Sequence, residues 1–123
     1  MAWPTHPESL LSGHFKRREF SCPCCGEMEL EPLLLVGLEW LRRLVGKAVT
    51  INSGYRCAAH NRAVGGETDS QHMSGRAADI VVSGMTPARL KDLAQQIPYF
   101  NDGGIGLYKT FVHVDVRGRR ARW

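Results

Sequence analysis

Apolar residues recur at intervals of three and four between Pro32 and Val45: Leu34, Leu38, Leu41 and Val45 form one stripe, and Trp40 and Leu44 widen it. That spacing is the buried face of an amphipathic helix, which Gly46 ends. Beyond it the period changes. Lys47 to Asn52, with Val49 and Ile51 on one face, reads as a strand, and Ala77 to Val82 is a run of small and β-branched residues of the kind that fills a buried strand. Phe111 to Val116 alternates strictly, so Val112, Val114 and Val116 face one way and Phe111, His113 and Asp115 the other. With Ile105 to Tyr108 it makes a closing hairpin after the turn Asn101-Asp102-Gly103-Gly104. Ala58 to Val64 has short helical character. Thr86-Pro87 is a cap followed by a first-turn proline, and it predicts a helix that buries Leu90, Leu93, Ala94 and Ile97 and stops at Pro98. Together these elements predict an α+β fold, a small and mostly antiparallel sheet with helices packed on one side. Residues 1–14, rich in Pro, His and Ser, read as an irregular arm on which Trp3 and Leu10 dock, and residues 15–123 as a single domain.

The polar exceptions to this patterning carry the chemistry. Asp79 interrupts the apolar Ala77–Val82 run, on the face it shares with Ala77 and Val81, and a carboxylate buried there without a partner costs several kcal/mol. It therefore requires a cation, an arginine or backbone donors. His72 precedes it by seven residues, across a Gly75 that discourages a continuous helix, so the histidine is expected on a loop and the aspartate on the strand behind it. His113 and Asp115 occupy the polar face of the other strand, where such residues have poor propensity. His72, Asp79 and His113 then supply two imidazole nitrogens and one carboxylate oxygen, the ligand set of a catalytic zinc that keeps a fourth position for water.

The run Ser70-Gln71-His72-Met73-Ser74-Gly75-Arg76-Ala77-Ala78-Asp79, preceded by Ser53-Gly54-Tyr55-Arg56 and followed by Phe111-Val112-His113-Val114-Asp115, resembles the M15 family of zinc D-Ala-D-Ala peptidases, in particular its small murein peptidases of phages, prophages and bacterial cell-wall systems. The likeness extends from about Phe15 to Trp123. It implies Zn²⁺ on His72, Asp79 and His113, an Arg56 that binds a substrate carboxylate or the transition state, Ser70 and Gln71 as substrate-binding residues, and an α+β fold shared with the hedgehog signalling domain. Several members of that family carry an acidic general base three positions before the last ligand. Thr110 stands there in this chain, which shifts the role to Asp115 or another carboxylate. Asp115 has a second reading, orienting His72 or His113 through a ring N–H. The implied activity is hydrolysis of a peptide bond in the murein stem peptide or crosslink, as a D,D-carboxypeptidase or an endopeptidase. The alternative within the same fold is a zinc-containing module that binds cell wall or protein without cutting it.

Composition narrows the setting. With 123 residues, 43% hydrophobic and 23% charged, the chain suits one ordinary domain, expected to act as a monomer. Pro4, His6, Pro7 and Glu8 break up the start, so neither a signal peptide nor a membrane-spanning helix is expected. The expectation is synthesis in the cytoplasm and action at the wall after release or as part of a virion. Net charge is +4, with Arg117, Arg119, Arg120 and Arg122 crowding the last seven residues. They read as a solvated end over the sheet edge; specific nucleic-acid binding is not expected, since no aromatic interleaving accompanies them. Cys22 and Cys25 have Cys-x-x-Cys spacing, and a metal site there requires Cys57 to approach in space. Reduced thiols packed as small hydrophobes are the first reading, a Cys25–Cys57 pairing the second. His6, His14 and His60 read as surface or capping residues, and Gly65 to Asp69 as a mobile loop that walls the cleft.

Overall fold

The fold is built around the helix whose stripe is clearest in the sequence. In the computed structural model, which describes residues 3–123, helix α1 spans Pro32–Val45 and ends on Gly46 in the left-handed conformation. Its buried face is Leu34, Leu35, Leu38 and Leu41. Trp40 and Leu44, expected to widen that face, are 45% and 41% exposed, because they lie about a quarter to a third of a turn off the line through Leu34, Leu38 and Leu41. Trp40 meets Tyr99 edge-on instead.

Strand β1 (Thr50–Ser53) follows, then helix α2 (Ala58–Ala63), strand β2 (Ala77–Val81), helix α3 (Pro87–Ala94), helix α4 (Pro98–Asn101) and strands β3 (Gly104–Leu107), β4 (Val112–Asp115) and β5 (Ala121–Arg122). The sheet order is β1-β2-β4-β3-β5, antiparallel throughout except for the β3–β5 pair. This is the expected α+β architecture. Thr86 caps α3 by accepting the Arg89 N–H at 3.2 Å. The helix stops three residues sooner than expected, and Pro98 begins α4 rather than merely ending α3. The reason lies in Ile97, which the following proline holds in extended conformation (φ −87°, ψ 116°).

Each central strand separates two worlds. Ala78 and Ile80 of β2, Val112 and Val114 of β4 and Ile105 of β3 are fully buried in the core with α1, α3 and α4. Directly opposed residues of an antiparallel pair share a face. The register pairs Asp79 with His113 and Ala77 with Asp115 across β2 and β4, and Gly106 with His113 across β3 and β4. The second face therefore carries Asp79, His113 and Asp115, with only small residues beside them.

The ends of the chain depart from the sequence reading. Residues 3–14 form turns and bends with one isolated bridge, Leu10 to Lys16, and it is Leu11, with Trp3, that packs on the core while Leu10 stays exposed. Met1 and Ala2, the first two residues of the expected arm, lie outside the described residues. The arginine-rich end is solvated only at Arg119 and Arg120, while Arg117 and Arg122 are half-buried. Residues 121 and 122 form β5 on the edge of β3, and Arg122 donates to the Gly103 and Asn101 carbonyls at 2.9 and 3.0 Å.

Candidate metal centre

His72 owes its position to two short-range devices. Ser70 accepts the His72 N–H at 3.2 Å and so starts a 3₁₀ turn, Gln71–Ser74, where a plain loop was expected. Gly75 closes that turn at φ +71°, with its α-carbon pressed so closely on the Glu29 carbonyl that a β-carbon would lie 2.3 Å from its oxygen. The chain then enters β2 and presents Asp79 to the same space.

Three ligand atoms, one each from His72, Asp79 and His113, lie within 4.8 Å of one another, and all three residues are buried. His72 Nε2 is 3.2 Å from Asp79 Oδ1, and His113 Nδ1 is 3.1 Å from the same oxygen. The outer nitrogen of each ring is already committed. His72 Nδ1 faces the Gly54 carbonyl at 2.8 Å and His113 Nε2 faces Asp115 Oδ2 at 2.8 Å. Both partners only accept, so in the neutral rings those nitrogens carry the protons, and His72 Nε2 and His113 Nδ1 turn their lone pairs toward Asp79. Two imidazoles with fixed tautomers and one carboxylate suit a divalent metal with nitrogen and oxygen preference.

The charges agree with this arrangement. Burial alone raises the Asp79 pKa, but the His113 and His72 rings, which donate to it in their protonated forms, outweigh it and hold the carboxyl well below the usual carboxylate range. Burial alone disfavours a charged His113, yet the bonds to Asp115 and Asp79 prevail and raise its pKa. A metal held by His113 would take the place of the proton that Asp79 otherwise attracts.

Asp115 stands behind His113, not in the cleft. It is fully buried, and besides His113 it accepts the Gly104 N–H at 2.8 Å and the Arg117 Nε and Nη2 donors at 2.9 and 2.7 Å. A carboxylate so engaged, its pKa held well below the ordinary range by His113 and Arg117 against the effect of burial, has no free lone pair to take up a proton. Of its two readings, general base and orienting partner of a histidine, these contacts are those of the second.

Arg56 belongs to the metal centre as well as to the cleft. Its Nη2 donates to Asp79 Oδ2 at 3.0 Å and its Nε to Ser53 Oγ at 3.1 Å. The same guanidinium lines a cleft of about 560 Å³ with His72, Asp79 and His113 at its floor. Ser70 and Gln71 line it too, and Gln71 Oε1 is buried without a protein partner. The loop from Gly65 to Asp69 forms one wall, as expected from its position, but it is not left free. Buried Asn61 holds it by donating to the Glu67 carbonyl at 2.7 Å, and the Gly66 N–H returns to the Asn61 carbonyl at 2.8 Å.

The opposite wall is where sequence reasoning fell short. Trp123 lies 5.0 Å from the His113 ring and 5.1 Å from the Arg117 guanidinium, and its Nε1 donates to the Tyr108 hydroxyl at 2.8 Å. Gly106 makes room for it, since a β-carbon there would come within 2.5 Å of the indole nitrogen. With Tyr108 and Phe111 stacked at 4.4 Å, an aromatic side faces the arginines. The local signal was a glycine alternating in register on β3, which only the pairing with β5 turns into an indole seat.

A family model described as Peptidase M15 matches residues 13–115. No curated protein matches the chain.

Proposed function

The chain belongs to the M15 peptidases, a metal-dependent family, and from that premise we propose that it is a zinc peptidase of peptidoglycan that hydrolyses a peptide bond of the stem peptide or its crosslink. The observation that carries this reading is the convergence of His72 Nε2, His113 Nδ1 and the Asp79 carboxylate at the floor of a cleft lined by arginines. His72, Asp79 and His113 would hold the zinc ion, which would supply Lewis-acid polarisation of the scissile carbonyl and a water acidified to a pKa near 7.

The chain's own residues supply the rest. Arg56, Arg117 and Arg119 line the cleft and offer cations to the carboxylates of a stem peptide, and the guanidinium protons of Arg56 not taken by Asp79, Ser53 and Asn61 bind one of them. Gln71 Oε1 accepts a substrate N–H, which relieves an acceptor otherwise buried unpaired. Ser70 serves mainly to hold His72 in place. Tyr108, Phe111 and Trp123 exclude water from one side. With Asp115 committed elsewhere, the carboxylate that takes a proton from the attacking water and returns it to the leaving amine comes from the Glu67–Asp69 loop, whose two acids line the cleft.

Incubating the zinc-loaded chain with defined muropeptides, with and without chelator, tests the reading. Stem-peptide fragments that vanish on chelation are expected, and their masses identify the bond. Zinc-dependent binding of muropeptides with no fragment released would instead establish the non-cutting module, the rival favoured by Thr110 in the position acidic in several relatives.

A further inference from the structure

The cleft chemistry uses none of the four cysteines, yet three of them meet. One sulfur each from Cys22, Cys25 and Cys57 lies within 4.8 Å of the other two, and the Cys22 and Cys57 sulfurs are 3.7 Å apart. Two thiolates on one tetrahedral zinc, each about 2.3 Å from the ion, stand about 3.8 Å from each other. The backbone shapes the site as well. Cys22 N–H donates to the Glu27 carbonyl and Gly26 N–H to the Cys22 carbonyl, both at 2.8 Å, and Gly26 at φ +74° completes this closed turn. From the other side, the Cys57 sulfur accepts the His60 N–H at 3.4 Å, which fixes where that sulfur points.

We propose that Cys22, Cys25 and Cys57 form a second zinc site, distinct from the histidine centre and structural in role. Sulfur ligands favour zinc over magnesium or calcium, and Cys24, exposed on the same turn, completes a four-thiolate shell by rotating its side chain. The site joins the Cys22–Gly26 turn to the segment Gly54–Cys57. That segment carries the carbonyl that orients His72 and the guanidinium that holds Asp79. The Tyr55 N–H already bonds the carbonyl of fully buried Phe20 at 2.8 Å, so the metal strengthens an existing seam. Cys22, Cys25 and Cys57 are thus positioning residues for the cleft without touching it.

The test counts metal and thiols in the full chain, purified reduced. Wild type is expected to hold two zinc ions by elemental analysis, and the double variant His72→Ala/His113→Ala one. Cobalt replacing that remaining ion should give the sulfur-to-cobalt charge-transfer absorption of a thiolate site, and the cysteines should resist alkylation until chelator is added. Cys57→Ser should lower wild-type content from two to one. A double-histidine variant that takes up no metal, or takes up cobalt without the charge-transfer band, overturns the proposal whether or not Cys57→Ser folds. Failure of the histidine centre is a separate outcome, since it leaves wild type with one ion that is sulfur-bound.

Discussion

The Asp115 carboxylate accepts the Nε2–H of His113 at 2.8 Å, and that bond decides which nitrogen of the ring faces Asp79. Asp115→Asn keeps the shape but weakens the acceptor. Zinc affinity is expected to fall roughly 10- to 100-fold, with turnover restored by excess metal. Measured zinc affinity and kcat on this one variant decide the role: a kcat that stays low at saturating zinc would return Asp115 to proton transfer.

Arg56 bridges the metal centre and the cleft, because its Nη2 holds Asp79, its Nε and Nη1 hold Ser53 and Asn61, and the same guanidinium lines the cleft. Arg56→Lys retains the charge and loses the fork. A charge-assisted hydrogen bond contributes about 1.5–3 kcal/mol, so kcat/KM on a muropeptide should drop roughly 10- to 100-fold. An unchanged kcat/KM would confine Arg56 to its ion pair with Asp79.

The proton acceptor is expected on the Glu67–Asp69 loop. Glu67→Gln and Asp69→Asn both leave the zinc ligands untouched, and whichever removes the base should lower kcat by roughly 10² or more with zinc content unchanged. Full turnover in both variants would exclude the loop.

Zinc uptake should depend on pH in a definite direction. The His113 pKa is raised above its ordinary 6.5, so below that raised value the imidazolium must lose a proton before a metal binds, and affinity falls as pH falls. Calorimetric titration with zinc in buffers of different ionisation enthalpy should detect proton release near neutral pH that disappears in alkaline solution. The metal-free protein has the opposite tendency. A raised histidine pKa stabilises the fold fully below 6.5, and that contribution is lost as pH rises through the folded value, so the melting temperature of the chelated chain should decline on the alkaline side.

Local periodicity is a property of adjacent residues, and what rests on it was legible in the sequence: α1 over Pro32–Val45, the Thr86 cap, and the strict alternation that sets His113 and Asp115 apart from the valines. The same alternation put Asp79 and His113 on polar faces of two strands, so the family-like trio with His72 could be named before any strand was paired. Which neighbour each polar group meets is a different kind of fact, because it depends on strand order and register between segments far apart in the chain. The β1-β2-β4-β3-β5 order brings Asp79 opposite His113, and Arg117 curls back over Asp115 and removes it from the cleft. Pairing of β5 with β3 seats Trp123 on Gly106, a contact with no periodic trace. Nor does Cys-x-x-Cys spacing reveal that Cys57 closes on it, since that approach follows from the seam between Phe20 and Tyr55. Hydrogen bonds near 3 Å discriminate among partners far more finely than hydrophobic pattern does, which is why the sequence by itself determined the faces and only the tertiary structure decided the partners.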